Sequence, residues 1–125
     1  MTSQQTEKRP FALVVGRDTR ARARVAQALL DRGYSIVMCS GPPGCALAHE
    51  DSCALVQRAD VAVMLSPWQE PHGGFFLREC AASAHKAVFA WAPPFAIPDG
   101  SVVVDSMDPK RIASAVDAAV RIRVA

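Results

Sequence analysis

The chain has 125 residues, 50% of them hydrophobic and 21% charged, with a formal net charge of +2. That length accommodates one domain with one core, and the apolar content excludes a wholly disordered chain, because it offsets the entropy of ordering. A pI of about 8.5 is too mild to imply nucleic-acid binding, and the longest apolar run, Ala87 to Ala92, is far short of the ~18 residues of a membrane span.

The polar opening MTSQQTEKRPF has no apolar stretch before a small-residue cleavage site, so it does not read as a secretory signal. Residues 1–10 are expected to be a disordered tail ahead of a single domain over 11–125. Phe11 to Val15 reads as a short buried strand closed by Gly16. Asp18 or Thr19 suits the cap of the next helix, in which Ala21, Val25, Ala28 and Leu29 form one apolar face and Gly33 supplies the stop. A second strand follows from Tyr34 to Met38. Pro42 and Pro43 then forbid helix continuity, and after Gly44 the chain either runs as a helix to Arg58 or breaks at Asp51-Ser52 and restarts.

Asp60 to Leu65 is a third strand without polar alternation, the mark of burial on both faces. The loop SPWQEPHGG leads into a helix from about Phe75 to Ala84, and a fourth strand covers Ala87 to Trp91. Next come the proline-rich APPFAIPDG, a fifth strand from Ser101 to Val104, and a last helix from near Asp108-Pro109. Pro109 fits the first helical position, and Ile112, Val116, Ala119 and Val120 share a face. Alternating strands and helices predict a doubly wound α/β domain with a five-stranded parallel sheet in the order 2-1-3-4-5. Ala92 to Gly100 is only nine residues, shorter than a helical crossover requires, so a proline-rich loop is expected in place of the fourth helix.

FALVVGRDTRARARVAQALLDRGYSIVMCSG resembles the opening of a response-regulator receiver domain: strand, acidic turn, helix, Gly-Tyr, strand. DVAVMLSP resembles its third strand, and SVVVDSMDPKRIASAV its fifth strand and closing helix, so that the likeness covers residues 11 to 122. The resemblance implies a signalling domain in which an aspartate accepts a phosphoryl group with the help of magnesium and a lysine. Carried over position by position, the acidic pair falls on Gly16 and Arg17, with Asp18 beside them, and the acceptor on Leu65 or Ser66. The hydroxyl after the fourth strand falls on Trp91 or Ala92, the lysine on Val104 or Asp105, and the proline beside it on Ser106. The resemblance therefore implies a degenerate receiver-like domain that lacks the phosphoacceptor residues and acts by binding another protein.

Other residues carry competing readings. Cys45, His49 and Cys53 fall at i, i+4 and i+8, one face of a continuous helix, and Cys39 could fold back as a fourth ligand. Such a set suits tetrahedral zinc, or an iron–sulfur cluster with Cys80 added, although the row would stretch over ~12 Å and no Cys-x-x-Cys pair is present. The same cysteines could form a redox pair, or simply fill a helix–sheet interface, as Cys80 is expected to do. Cys-based redox or metal sensing is thus the alternative function.

Arg17, Arg20 and Arg24 share a helix face near the carboxyl edge of the sheet and could hold an anion or a partner, or be a solvated surface. His72-Gly73-Gly74 could offer backbone N–H groups to an anion, although a glycine pair more commonly makes a turn. Trp68, Trp91, Phe95 and Ile97 could form an apolar interaction patch or a lid over the sheet. G-x-G-x-x-G, phosphate-loop and G-x-S-x-G motifs are absent. The expectation is a cytoplasmic, non-enzymatic protein without a cofactor. Its partner is expected to be another protein, with homodimerisation as one form of contact, rather than a membrane or nucleic acid.

Overall fold

A computed structural model describes residues 9–40, 54–66, 68, 72–94 and 96–124. In chain order the elements are β1 (Phe11–Val15), α1 (Thr19–Leu30), β2 (Ser35–Cys39), α2 (Ala54–Arg58), β3 (Val61–Leu65), α3 (His72–Ser83), β4 (Ala87–Ala90), β5 (Val102–Val104) and α4 (Pro109–Val124). The five strands form one sheet in the order β2-β1-β3-β4-β5, every neighbouring pair parallel. This is the expected doubly wound architecture.

The period-2 geometry of a strand splits the core into two layers. Ala12, Val14, Val61, Val63, Leu65, Val88 and Ala90 face α1 and α4, packing on Val25, Leu29, Ile112 and Val116. Leu13, Val15, Ala62, Met64, Ala87 and Phe89 face the other way, onto Val56 of α2 and Leu77, Cys80 and Ala81 of α3. β3 is buried at all five positions, which is why its sequence shows no polar alternation. Among the described residues between β4 and β5 there is no helix.

Local chemistry moves several boundaries by a residue or more. Gly33 has a φ of +92°, its N–H donates to the Leu30 carbonyl at 3.0 Å, and Tyr34 N–H donates to the Leu29 carbonyl at 3.1 Å. That hydrogen-bond pair is the Schellman closure of α1, and it places Tyr34 in the helix stop, so β2 begins at Ser35 and not at Tyr34. β3 begins after Asp60, whose carboxylate accepts from Phe11 N–H at 2.7 Å. β4 ends at Ala90 because Trp91 turns to a φ of +76°. β5 starts at Val102, one residue later than expected. α3 begins at His72, so Gly73 and Gly74 lie in a helical turn and not in the expected loop.

Just before β1, the Pro10 carbonyl accepts from Ser35 N–H at 2.9 Å. Residues 1–8 lie outside the described residues, as does 41–53, so of the expected 44–58 helix only Ala54–Arg58 is described. No helix among the described residues is long and apolar enough to cross a membrane.

Candidate functional site

In a parallel sheet covered on both faces, ligand chemistry gathers at the carboxyl ends of the strands. Here that edge is formed by Gly16–Asp18 after β1, Leu65 at the end of β3 with Ser66 after it, Trp91 after β4 and Asp105–Met107 after β5. Gly16 donates its N–H to the Cys39 carbonyl at 3.0 Å, which fixes the backbone as it leaves β1. A Cβ at Gly16 would stand 3.1 Å from Leu65 Cβ, 3.5 Å from Leu65 Cδ1 and 3.6 Å from Arg22 Cγ. Leu65 itself is only 2% exposed. A side chain at the end of β1, where a carboxylate pair would have to stand, would therefore crowd Leu65 at the end of β3 and touch the Arg22 stem.

The polar groups around this closure are engaged locally. Asp18 accepts from the N–H groups of Arg20 and Ala21 at 2.9 and 3.1 Å, capping α1. Ser106 is buried and accepts from Asp108 N–H at 2.9 Å, ordering the entry to α4. Ser66 donates its hydroxyl to the Met107 sulfur at 3.3 Å. Trp91 donates its N–H to the Val104 carbonyl at 2.7 Å while its side chain is 43% exposed, held in a conformation that bulky residues rarely adopt. A magnesium ion needs oxygen ligands, usually including carboxylates. The contacts around a side chain at position 16 are aliphatic, and Asp18 caps α1 through its Oδ1.

The arginines of α1 separate into two kinds. Arg17, Arg20 and Arg24 are exposed. Arg22 is half-buried over Gly16, donates to the Thr19 hydroxyl at 3.0 Å, and has a buried Nε without a hydrogen-bond partner. At the other end of α1, Arg32 pairs with Asp117 of α4 and donates to the Ser114 hydroxyl at 3.2 Å, while Tyr34 donates its hydroxyl to Asp117 at 2.8 Å. Burial, then the hydrogen bond and charge of Asp117, hold the Tyr34 phenol well above its usual range. Sequence reasoning missed this cluster: its members are 83 and 85 positions apart, and no local pattern joins them.

The remaining candidate residues do not form one site. Cys39 is half-buried at the end of β2, while Cys45, His49 and Cys53 lie outside the described residues. No group of three metal-ligating side chains occurs among the described residues. Cys80 is buried in the core layer under α3, as expected. In the apolar patch, Trp68 packs on Phe89 with ring centroids 5.9 Å apart, and Ile97 packs on the same layer. Trp91 stands exposed, and Phe95 lies outside the described residues. The described members thus divide between cover for the sheet and exposed surface. His72 starts α3, and a cleft of about 140 Å³ between the end of α3 and the start of β5 is lined by His85, Lys86, Asp99 and Ser101.

No protein-family model matches the chain, and no curated protein sequence matches it. Among solved structures, the chemotaxis response regulator CheY4 of Vibrio cholerae is similar with a TM-score of 0.63 at 15% identity, over 90% of this chain and 99% of that one. The N-terminal domain of a response regulator/sensory box/GGDEF three-domain protein from Carboxydothermus hydrogenoformans is similar with a TM-score of 0.63 at 16% identity, over 91% and 96% of the two chains. At such identity the likeness is one of fold, and it agrees with the strand order described above: the chain has the fold of a response-regulator receiver domain.

Proposed function

We propose that this protein is a signalling domain that works by contact with another protein and accepts no phosphoryl group. The observation that carries the reading is the crowding between the ends of β1 and β3, where a side chain at position 16 would start 3.1 Å from the Cβ of Leu65, itself 2% exposed. Phosphoryl transfer needs an exposed nucleophile in line with the donor and positive charge, normally a metal ion, on the transferring oxygens. A buried leucine supplies no nucleophile, and the neighbouring Asp18 carboxylate caps α1 through its Oδ1. Exposed Trp91 and Val103, at 43% and 42%, add apolar surface of the kind that protein contacts use.

The test is a titration of the isotope-labelled protein with magnesium and beryllofluoride, which mimics a phosphoryl group on a carboxylate. The amide spectrum is expected to stay unchanged beyond the effect of magnesium chloride alone. Saturable shifts at residues 16–18 and 65–66 would overturn the reading.

A further inference from the structure

Charge is distributed unevenly through this nearly neutral chain. Residues 19–30 and 109–124, the spans of α1 and α4, carry seven basic residues and one acidic one, against seven and eleven in the rest of the sequence. The one acid, Asp117, is taken up by Arg32 and Tyr34. The two helices pack side by side on one face of the sheet, and each follows a strand, so both begin at the carboxyl edge. Arg17, Arg20, Arg24, Lys110 and Arg111 are all exposed there.

Their placement opposes the electrostatics of the helices. Neither α1 nor α4 has an acidic residue in its first turn, where the positive end of the backbone dipole favours one. Arg20 and Arg22 occupy that turn in α1, and Lys110 and Arg111 occupy it in α4. Asp18 and Asp108 supply the acids at the two helix starts, so the cations of the first turns add nothing to helix stability and are left for an outside contact.

We propose that the exposed arginine–lysine face shared by α1 and α4 docks an acidic segment of a partner protein. This names the partner chemistry for the protein-contact reading and rests on it. Carboxylates relieve both the mutual repulsion of the cations and their conflict with the helix dipoles, and arginine binds them in a bidentate fork. Protein fits better than nucleic acid for two reasons. Neither helix contains an aromatic residue for stacking on bases. The exposed acids Asp18, Asp105 and Asp108 interrupt the same rim, so it offers no continuous cationic track for a phosphate backbone, whereas a short acidic segment can engage the cations between them.

Fluorescent poly-L-glutamate titrated with the full chain at low salt tests the proposal. Binding is expected to be saturable and to weaken as salt screens the contacts. R20E/R24E should bind about tenfold more weakly, whereas R9E/R58E, which changes net charge equally away from this face, should stay within about twofold of the parent. R20Q/R24Q, which removes charge without reversing it, should fall between them and guards against a folding defect in the reversal variant. Equal losses in R20E/R24E and R9E/R58E, or none in either, would overturn the proposal. So would a duplex DNA of matched charge that binds more tightly than poly-L-glutamate. A protein that responds to beryllofluoride but still binds poly-L-glutamate through Arg20 and Arg24 sinks the non-phosphorylatable reading alone; the reverse pair of results sinks this proposal alone.

Discussion

Replacing Gly16 with alanine probes the closed edge directly. The φ of Gly16 lies outside the left-handed region, so alanine meets no backbone penalty there and stiffens the unfolded chain, a gain of about 0.4–1 kcal/mol. Against this, the new methyl would lie 3.1 Å from Leu65 Cβ, an atom fixed to the backbone of the central strand β3 and unable to move without the sheet. Overpacking at such a site costs about 1–3 kcal/mol, so the net effect is destabilisation by roughly 1 kcal/mol, or ~3–6 °C in Tm for a domain of this size. Urea denaturation followed by circular dichroism should show a lower midpoint with an unchanged slope. A Gly16→Ala protein as stable as the parent, or more so, would refute the reasoning, because the ends of β1 and β3 would then leave space for a side chain and for the chemistry such a residue could bring.

Three further outcomes follow from the same contacts. Asp18→Ala removes the acceptor for two backbone N–H groups and should cost about 1 kcal/mol, read as a loss of thermal stability with an unchanged far-ultraviolet spectrum at low temperature. Tyr34 is the single tyrosine, and its phenol is held above the usual value of about 10. A raised native value means that the stabilising contribution is complete below pH ~10 and is lost at higher pH as the unfolded tyrosine ionises first, by up to about 1.4 kcal/mol per pH unit. Tyr34→Phe should remove this alkaline slope, seen as the difference between the two proteins' unfolding curves, while the tyrosinate absorbance of the folded parent appears only at unusually high pH. Anaerobically purified protein should hold only substoichiometric zinc and iron by elemental analysis; a full equivalent of either would restore the cysteine-based alternative.

The fold was legible in the sequence because it depends on local, repeated signals. Five apolar runs separated by amphipathic stretches specify a two-sided sheet, and Asp18, Gly33 and Pro109 punctuate the helices by mechanisms confined to a few residues. Boundaries were less legible where a distant partner decides them. Asp60 stands outside the strand with its carboxylate on Phe11 N–H 49 positions away, and Trp91 leaves β4 by turning to a φ of +76° while its N–H still reaches Val104 across the sheet edge. The candidate site was legible only as a set of replaced residue types. That a side chain at position 16 would crowd Leu65, and that the Arg22 stem lies close by while its neighbours face solvent, depends on the register between β1 and β3 and on the rotation of α1. No period in the sequence encodes either.

The closed edge and the basic helical face are connected electrostatically. A carboxylate cluster at the ends of β1 and β3 would present negative charge within a few ångströms of the first turn of α1, and cations on that turn would then be compensated inside the domain. With aliphatic contacts there instead, the nearby acids are Asp18 and Asp108 at the helix starts, and among the described residues Arg20, Arg24, Lys110 and Arg111 form no ion pair. Their field therefore extends into solvent, where it can be satisfied only by salt or by an acidic surface. Restoring an acid internally should thus weaken the external contact: Ser66→Asp, placed at a half-buried position beside the leucine plug, should reduce poly-L-glutamate binding without touching any arginine. If it leaves that binding unchanged, the edge and the helical face act independently, and the charge excess on α1 and α4 needs a different cause.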